Sequence, residues 1–388
     1  MMKSLAIITE YNPFHNGHKY QLSKARMKFQ PDVIVVLMSG NFVQRGEPAL
    51  LDKKVRAELA LNNGADLVIE LPWFGSVQSA DYFAEVGVNL LSSLNIDELC
   101  FGTDYDEQFS YEEFVKKEQE KSVEIEKQMQ IISKEHASWS YPRRLAESYK
   151  FVFDENLGLS LPNHVLGLSY ARANLQIPNP MKLQVIKRIG ANHYDGVKDD
   201  FASGSAIRNN LLQDNLERVK NAIPKSTYQA LKEEDLHYWD DYYKLLKTQV
   251  ITKTSAELSS IYQMTEGLEY KVKQTILNSA TFLEWIDSMK TSRYTVSRIQ
   301  RLATYLLLNI TTQNMKQSMS NPYLKILGCN SIGRQFLKST NKTLPIVSNI
   351  RQQDRQALCL EQWVEEIYHL PEKNKFNFAK SYNPIIIK

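Results

Sequence analysis

Leu5-Ala6-Ile7-Ile8-Thr9-Glu10-Tyr11-Asn12-Pro13-Phe14-His15-Asn16-Gly17-His18 begins as an apolar, strand-like run and ends where an amphipathic, helical pattern starts. The place matters more than the letters. In an open parallel sheet, ligands collect at the carboxyl ends of strands, and the helix that follows offers free N–H groups and a partial positive charge to an anion. A nucleotide phosphate fits that position.

His15 and His18, three apart on the first helical turn, face one side, so both can donate to phosphate oxygens where charge develops as pyrophosphate leaves. Gly17 removes a side chain where a ribose or base must approach the backbone. The alternative is that His15 caps the helix and His18 is a polar surface residue. The strand, turn, glycine and helix in sequence favour the nucleotide.

Working outward, short apolar runs alternate with amphipathic stretches, which is the pattern of βα units on a parallel sheet. Strands are expected at Leu5–Glu10, Val33–Met38, Leu67–Leu71, Glu98–Gly102 and Leu183–Arg188, with helices beginning near Gly17, Asp52, Asp81, Pro162 and Ser203. Gly40, Gly46, Gly64, Pro72 and Gly102 supply the breaks. A charged Lys/Glu-rich stretch, about 106–150, reads as an exposed helical insertion. The expected fold is therefore α/β: a Rossmann-like, parallel-sheet, nucleotide-binding domain over 1–215, followed by an α-helical domain over 216–388.

The chain has 388 residues, 43% of them apolar, enough for two cores. It begins in the strand-like run without a signal-peptide pattern and holds no apolar run long enough to span a bilayer, so a cytoplasmic protein is expected. Cys100, Cys329 and Cys359 are far apart and odd in number, which suits neither a zinc site nor a disulfide framework. No metal-ligand cluster or protein-partner signal is visible, and no serine or cysteine nucleophile motif stands out.

The formal charge of +3 hides a local bias. Between Ser288 and Arg355 eleven cations (Lys290, Arg293, Arg298, Arg301, Lys316, Lys325, Arg334, Lys338, Lys342, Arg351 and Arg355) face only Asp354, giving +10 and leaving −7 for the rest. Such asymmetry is expected of a module that meets a polyanion. Arg293, Arg298 and Arg301 are its candidate phosphate contacts. Tyr294, Tyr305 and Tyr323 are either stacking platforms for unpaired bases or core residues at helical spacing.

A second anion site is suggested by Ser203-Gly204-Ser205-Ala206-Ile207-Arg208, a loop entering a helix with an arginine in its first turns. Ser205 and Arg208 can meet phosphates there. Arg45, in the glycine-bounded loop Ser39 to Glu47, can pair with a carboxylate or a phosphate, or simply with Glu47.

The His15-Asn16-Gly17-His18 motif with Ser205-Ala206-Ile207-Arg208 resembles the nucleotidyltransferase superfamily that includes class I aminoacyl-tRNA synthetases. Glu10–His18, Met38-Ser39-Gly40-Asn41-Phe42-Val43-Gln44-Arg45-Gly46-Glu47-Pro48-Ala49, Phe101-Gly102-Thr103-Asp104 and Ser292-Arg293-Tyr294-Thr295 narrow the resemblance to the bacterial tRNA(Met) cytidine acetate ligases. That resemblance implies ATP as the nucleotide, Mg²⁺ carried mainly by its phosphates, acetate as the group activated, and elongator tRNA(Met), through its wobble cytidine, as acceptor.

It also implies an ATP site made of Ile7, Ile8, Thr9, Glu10, Tyr11, Asn12, Pro13, Phe14, His15, Asn16, Gly17, His18, Lys19 and Tyr20, with Gly102, Asn163 and Arg188. His15, His18 and Arg208 would be catalytic. Two rival readings remain at this point. One is a small-molecule adenylyl- or cytidylyltransferase, which would need no extended basic face, and the other is a nucleotide-responsive RNA-binding protein without turnover.

Overall fold

The computed structural model describes residues 2–154, 157–189, 200–265, 267–347, 358–372 and 383–387. Among the described residues eight strands form one sheet: β1 (Ser4–Thr9), β2 (Val33–Ser39), β3 (Leu67–Leu71), β4 (Glu98–Thr103), β5 (Lys182–Lys187), β6 (Leu324–Cys329), β7 (Ile346–Val347) and β8 (Ile385–Ile386). The order across the sheet is β5-β4-β1-β2-β3-β6-β7, with β8 also pairing β6. β1 to β5 pair in parallel, while β6 runs antiparallel to β3.

Alternation along each strand builds two cores from one sequence. Ala6 and Ile8, with Val33, Val35 and Leu37, face the helices Ala80–Ser92 and Pro162–Gln176, whereas Leu5 and Ile7, with Ile34, Val36 and Met38, face Asn16–Phe29 and Lys53–Asn62. Both faces are covered, so β2 is buried at every residue. After β3 the chain crosses back to place β4 on the other side of β1, and this reversal opens a crevice at the carboxyl ends of β1 and β4.

The charged stretch after Asp106 forms helices Tyr111–Glu120, Ser122–Glu135 and Tyr141–Phe153. Its apolar residues are not idle: Tyr111, Phe114, Val115 and Tyr149 pack into the same core as β4. A third core, including Trp239, Tyr242, Trp285, Tyr305 and Tyr368, lies in the helical portion.

The sequence reads as almost wholly helical after about Leu216, but β6, β7 and β8 return to the sheet. β6 resembles a buried helix segment because both of its faces are covered, leaving no alternation to read. Lys325 on β6 is consequently no surface cation. It is 1% exposed, 3.0 Å from Glu70 and 3.1 Å from Glu361, beside Lys53, which meets Glu70 at 2.9 Å and also contacts Glu365. Three carboxylates thus share two lysines, joining β3, β6 and the helices Lys53–Asn62 and Cys359–Tyr368. They are the three acidic groups that meet most closely among the described residues, and the ammonium groups already occupy them.

Cys100 and Cys329 are buried and Cys359 is exposed, all as free thiols. Among the described residues no helix is long and apolar enough to cross a membrane.

His369 Nδ1 donates to Glu372 at 2.6 Å, and Nε2 lies 3.4 Å from Asp52, the N-cap of Lys53–Asn62. Burial opposes the imidazolium, but the neighbouring Asp52 and Glu372 carboxylates outweigh it and raise its pKa to about 9. A folded-state pKa above the ordinary ~6.5 contributes stability that is complete below pH ~6.5 and is lost as pH rises through about 9. The thermal midpoint is therefore expected to fall between pH 7 and pH 9.5, and His369→Gln to flatten that fall, as read by calorimetry in matched buffers.

Candidate active site

Beyond β1, His15 is the N-cap of Asn16–Phe29. Its Nδ1 accepts from the Gly17 N–H at 3.1 Å, while the His15 N–H donates to His18 Nδ1 at 3.3 Å. The rings stack with centroids 3.6 Å apart. Because each Nδ1 accepts a backbone proton, each neutral ring carries its own proton on Nε2. Burial first, then Arg188 and Arg208, lower His15 to about 3; burial, His15 and Arg188 lower His18 as well. The pair is thus two neutral N–H donors, and capping and ligand binding are roles of the same side chain.

These rings line a cavity of about 550 Å³ in the crevice between β1 and β4. Of the residues read from sequence, Ile8, Thr9, Glu10, Tyr11, Asn12, His15, Gly17, His18, Tyr20, Arg45, Gly102, Asn163, Arg188, Ser205 and Arg208 line it. Five others do not: Ile7 and Phe14 are core, Pro13 is buried in a cis bond after Asn12, Lys19 is exposed, and Asn16 donates to the Asp200 and Asn221 carbonyls. All but the exposed Lys19 hold the loop rather than face the cavity.

On the opposite wall Ser203 caps Gly204–Leu212, its hydroxyl accepting from the Ala206 N–H at 3.1 Å. Arg208 donates to the Asn12 carbonyl at 2.8 Å, to Glu47 at 2.9 Å and to Ser205 at 3.5 Å. A Cβ on Gly204 would sit 2.9 Å from the Asn12 oxygen, so this helix can approach the first loop only with glycine there.

Asn163 is not the cap of its helix; Leu161 is, with Pro162 in the first turn. Asp104 does the capping from beyond β4, accepting from the His164 N–H at 3.0 Å and from the Asn163 amide at 2.9 Å. Asn163 then accepts from Arg188 at 3.2 Å, and Arg188 passes Gly102, where a Cβ would meet its Cγ at 3.3 Å. Asp104 ends the Phe101–Asp104 motif, yet its role depends on a helix 60 residues away.

The loop after β2 belongs to both halves of the chain. Gly46, at φ +78°, lies so close to Val296–Leu307 that a Cβ would be 2.3 Å from the Arg301 nitrogen, and its carbonyl accepts from Trp239 and Thr304, each at 3.0 Å. Glu47 bonds Arg208 and, at 3.4 Å, the Gln300 amide, and Ser297 reaches the cavity wall. Sequence reading did not place Ser297 or Gln300 here, because the approach joins residues such as Glu47 and Gln300 that are 253 positions apart.

The basic segment divides by burial. Arg301 is only 9% exposed, packed in the helical portion rather than displayed on the surface. Tyr305 is fully buried core, with its hydroxyl donating to the Val77 carbonyl; Tyr323 donates to Glu361 at 2.8 Å. Arg293 is exposed, and Arg298 lies over Tyr294 with 4.9 Å from guanidinium to ring centroid. Arg351, Arg355 and Asp354 lie outside the described residues.

Sheet order, crevice, stacked imidazoles and the facing Ser-Arg helix define a nucleotidyltransferase. The family model described as HIGH Nucleotidyl Transferase matches residues 2–382. The tRNA(Met) cytidine acetate ligase of Latilactobacillus sakei is 40% identical over 359 residues, 90% of this chain and 88% of that protein. Thermotoga maritima TmcAL, solved apo and bound with alpha-thio ATP, superposes with TM-scores of 0.91 and 0.89 at 27% identity, covering both chains fully. The chain belongs to the tRNA(Met) cytidine acetate ligase family.

In the free enzyme the imidazole nitrogens of His15 and His18 are expected to keep the Nε2–H tautomer pattern from pH 5.5 to 8, since both pKa values are lowered, His15 to about 3. Selective ¹⁵N labelling and NMR would check it. A titration with a midpoint near 6.5 in either ring would contradict the neutral-donor site.

Proposed function

We infer that the chain activates acetate with ATP, releasing pyrophosphate, and then acetylates N4 of the wobble cytidine of elongator tRNA(Met). An acetate oxygen attacks the α-phosphorus in line, the bond to the β-phosphate bridge breaks, and acetyl-AMP remains. The cytidine amine then attacks the acetyl carbonyl and AMP leaves. Family membership supports the reaction; the pair of neutral Nε2–H donors facing Arg208 across the cavity is the observation that carries the assignment of residues.

Both reactants of the first step are anions, so the protein's part is positioning and charge stabilisation. His15 and His18 donate to phosphate oxygens without adding charge that a resting site would have to bury. Arg208, with Ser205, and Arg188, with Asn163, supply the cationic walls, and Arg45 lies beside the carboxyl groups of Glu10 and Glu47. The cavity's carboxylates face arginines, so Mg²⁺ would be held by the triphosphate. Arg293 and Arg298, on the rim that Ser297 joins to the cavity, are the tRNA contacts we favour, with residues 216–388 as the tRNA-binding portion and the cytoplasm as the compartment. A transferase of small molecules would have no use for that rim.

Acetate-dependent ATP–pyrophosphate exchange, with and without tRNA, tests the reading. His15→Asn keeps a strong N-cap but removes the Nε2–H, so it is expected to fold with wild-type stability to within ~0.5 kcal/mol and to lower exchange by about 10² or more. Wild-type exchange in His15→Asn and His18→Ala alike would remove both from the mechanism.

For tRNA, replacing Arg293 and Arg298 with Ala should weaken binding and reduce the slope of log affinity against log salt by roughly 0.7 to 0.9 per lost phosphate contact. Exchange with acetate should persist. An unchanged slope would move the tRNA site elsewhere.

A further inference from the structure

Besides the polar groups already described, Ile8, Ala80, Phe83, Phe101, Leu166 and Tyr170 give the cavity apolar lining, and Glu10 lines the same cavity. Tyr170 is 2% exposed, yet its hydroxyl has no hydrogen-bond partner among the described residues. An orphaned buried hydroxyl is unfavourable in the free protein, which suggests that a ligand atom completes it.

Glu10 is half-buried on the same cavity, and one of its oxygens accepts from the Gln44 N–H at 2.9 Å. Burial raises this carboxyl, against Arg45, the Gln44 N–H and Arg208, and its charge acts in turn on the Tyr170 hydroxyl. A second carboxylate is poorly suited to meet acetate or phosphate. It is suited to an amine.

We propose that Glu10 and Tyr170 form the subsite for the acceptor cytosine, in which a Glu10 oxygen accepts a proton from N4 and the Tyr170 hydroxyl bonds an acceptor on the same edge of the base. The exocyclic amine of cytosine is a donor that carboxylates recognise, and enzymes that modify a base draw it from its stack into a pocket with aromatic walls, here Phe83 and Phe101. In the transfer step the N4 lone pair forms the C–N bond to the acetyl carbon, the carbon–oxygen bond to AMP breaks with its electron pair on AMP, and the N4 proton passes to Glu10. No other reactant is needed. Glu10 is then a catalytic general base and Tyr170 a reader of the base.

This rests on acetyl transfer to tRNA as the reaction, and the experiment separates the two. Wild-type protein, Glu10→Gln and Tyr170→Phe are compared in acetate-dependent pyrophosphate exchange and in single-turnover transfer from preformed acetyl-AMP to tRNA across pH 5 to 8.5. Absence of exchange and transfer in the wild type would overturn the function itself. Given wild-type activity, Glu10→Gln should lower transfer by about 10² relative to its own exchange and abolish the acidic limb of the pH profile. Tyr170→Phe should raise the thermal midpoint, by removing the orphaned hydroxyl, while raising the KM for tRNA several-fold with kcat less affected. Transfer by Glu10→Gln at the wild-type rate and pH profile, or equal loss of exchange and transfer in a variant that still melts cooperatively, would overturn the subsite. So would a Tyr170→Phe variant with unchanged KM for tRNA.

Discussion

The guanidinium of Arg56 is fully buried and is spent on backbone. It donates to the carbonyls of Leu51 at 2.9 Å, Glu10 at 2.7 Å, Ser39 at 3.0 Å and Gly40 at 2.7 Å. The Glu10, Ser39 and Gly40 oxygens lie at the carboxyl ends of β1 and β2, where the ladder stops and carbonyls lose their partners. One rigid fork therefore ties together the two strand ends that form the floor of the site, and burial would make either the cation or the carbonyls unfavourable alone. Glu10, Tyr11 and the loop after Ser39 take their positions from this arrangement.

The same helix, Lys53–Asn62, carries Lys53 into the cluster of Glu70, Glu361 and Glu365. Buried ion pairs add little net stability, but removing one partner strands the others, so the cluster acts as a constraint on which elements can meet. It selects Cys359–Tyr368 and β6 as neighbours of β3. The C-terminal half is thereby drawn back over the sheet, and Val296–Leu307 comes to rest on Gly46. The two halves of the chain share that loop: Glu47 touches Arg208 on one side and Gln300 on the other.

The legible part of the site was the part built locally. His15, Gly17 and His18 are within one turn, so their spacing, the strand before them and the helix after them already fix which way they point. β1 to β5 were readable because each is a short apolar run flanked by breaks, and the alternation of parallel strand and helix admits few topologies. What spacing could not give was valence. Arg301, Lys325 and Arg293 look alike as letters, but the first two are buried and the third is exposed. Asp104 and Asn163 divide the capping of a helix in a way that only their contact reveals.

The amino-acid sequence by itself determined the α/β sheet, the turn from β1 into the first helix and the family, because strand period, glycine placement and a helix N-terminus are properties of neighbouring residues. Tertiary structure decided the rest: that both imidazoles are neutral donors, that β6 closes the sheet antiparallel, that Tyr170 lines the cavity with its hydroxyl unmet, and that the basic segment divides into core and rim. Each of these depends on burial and on partners far away in the chain. Desolvation and long-range hydrogen bonding have no period, so no pattern of letters displays them.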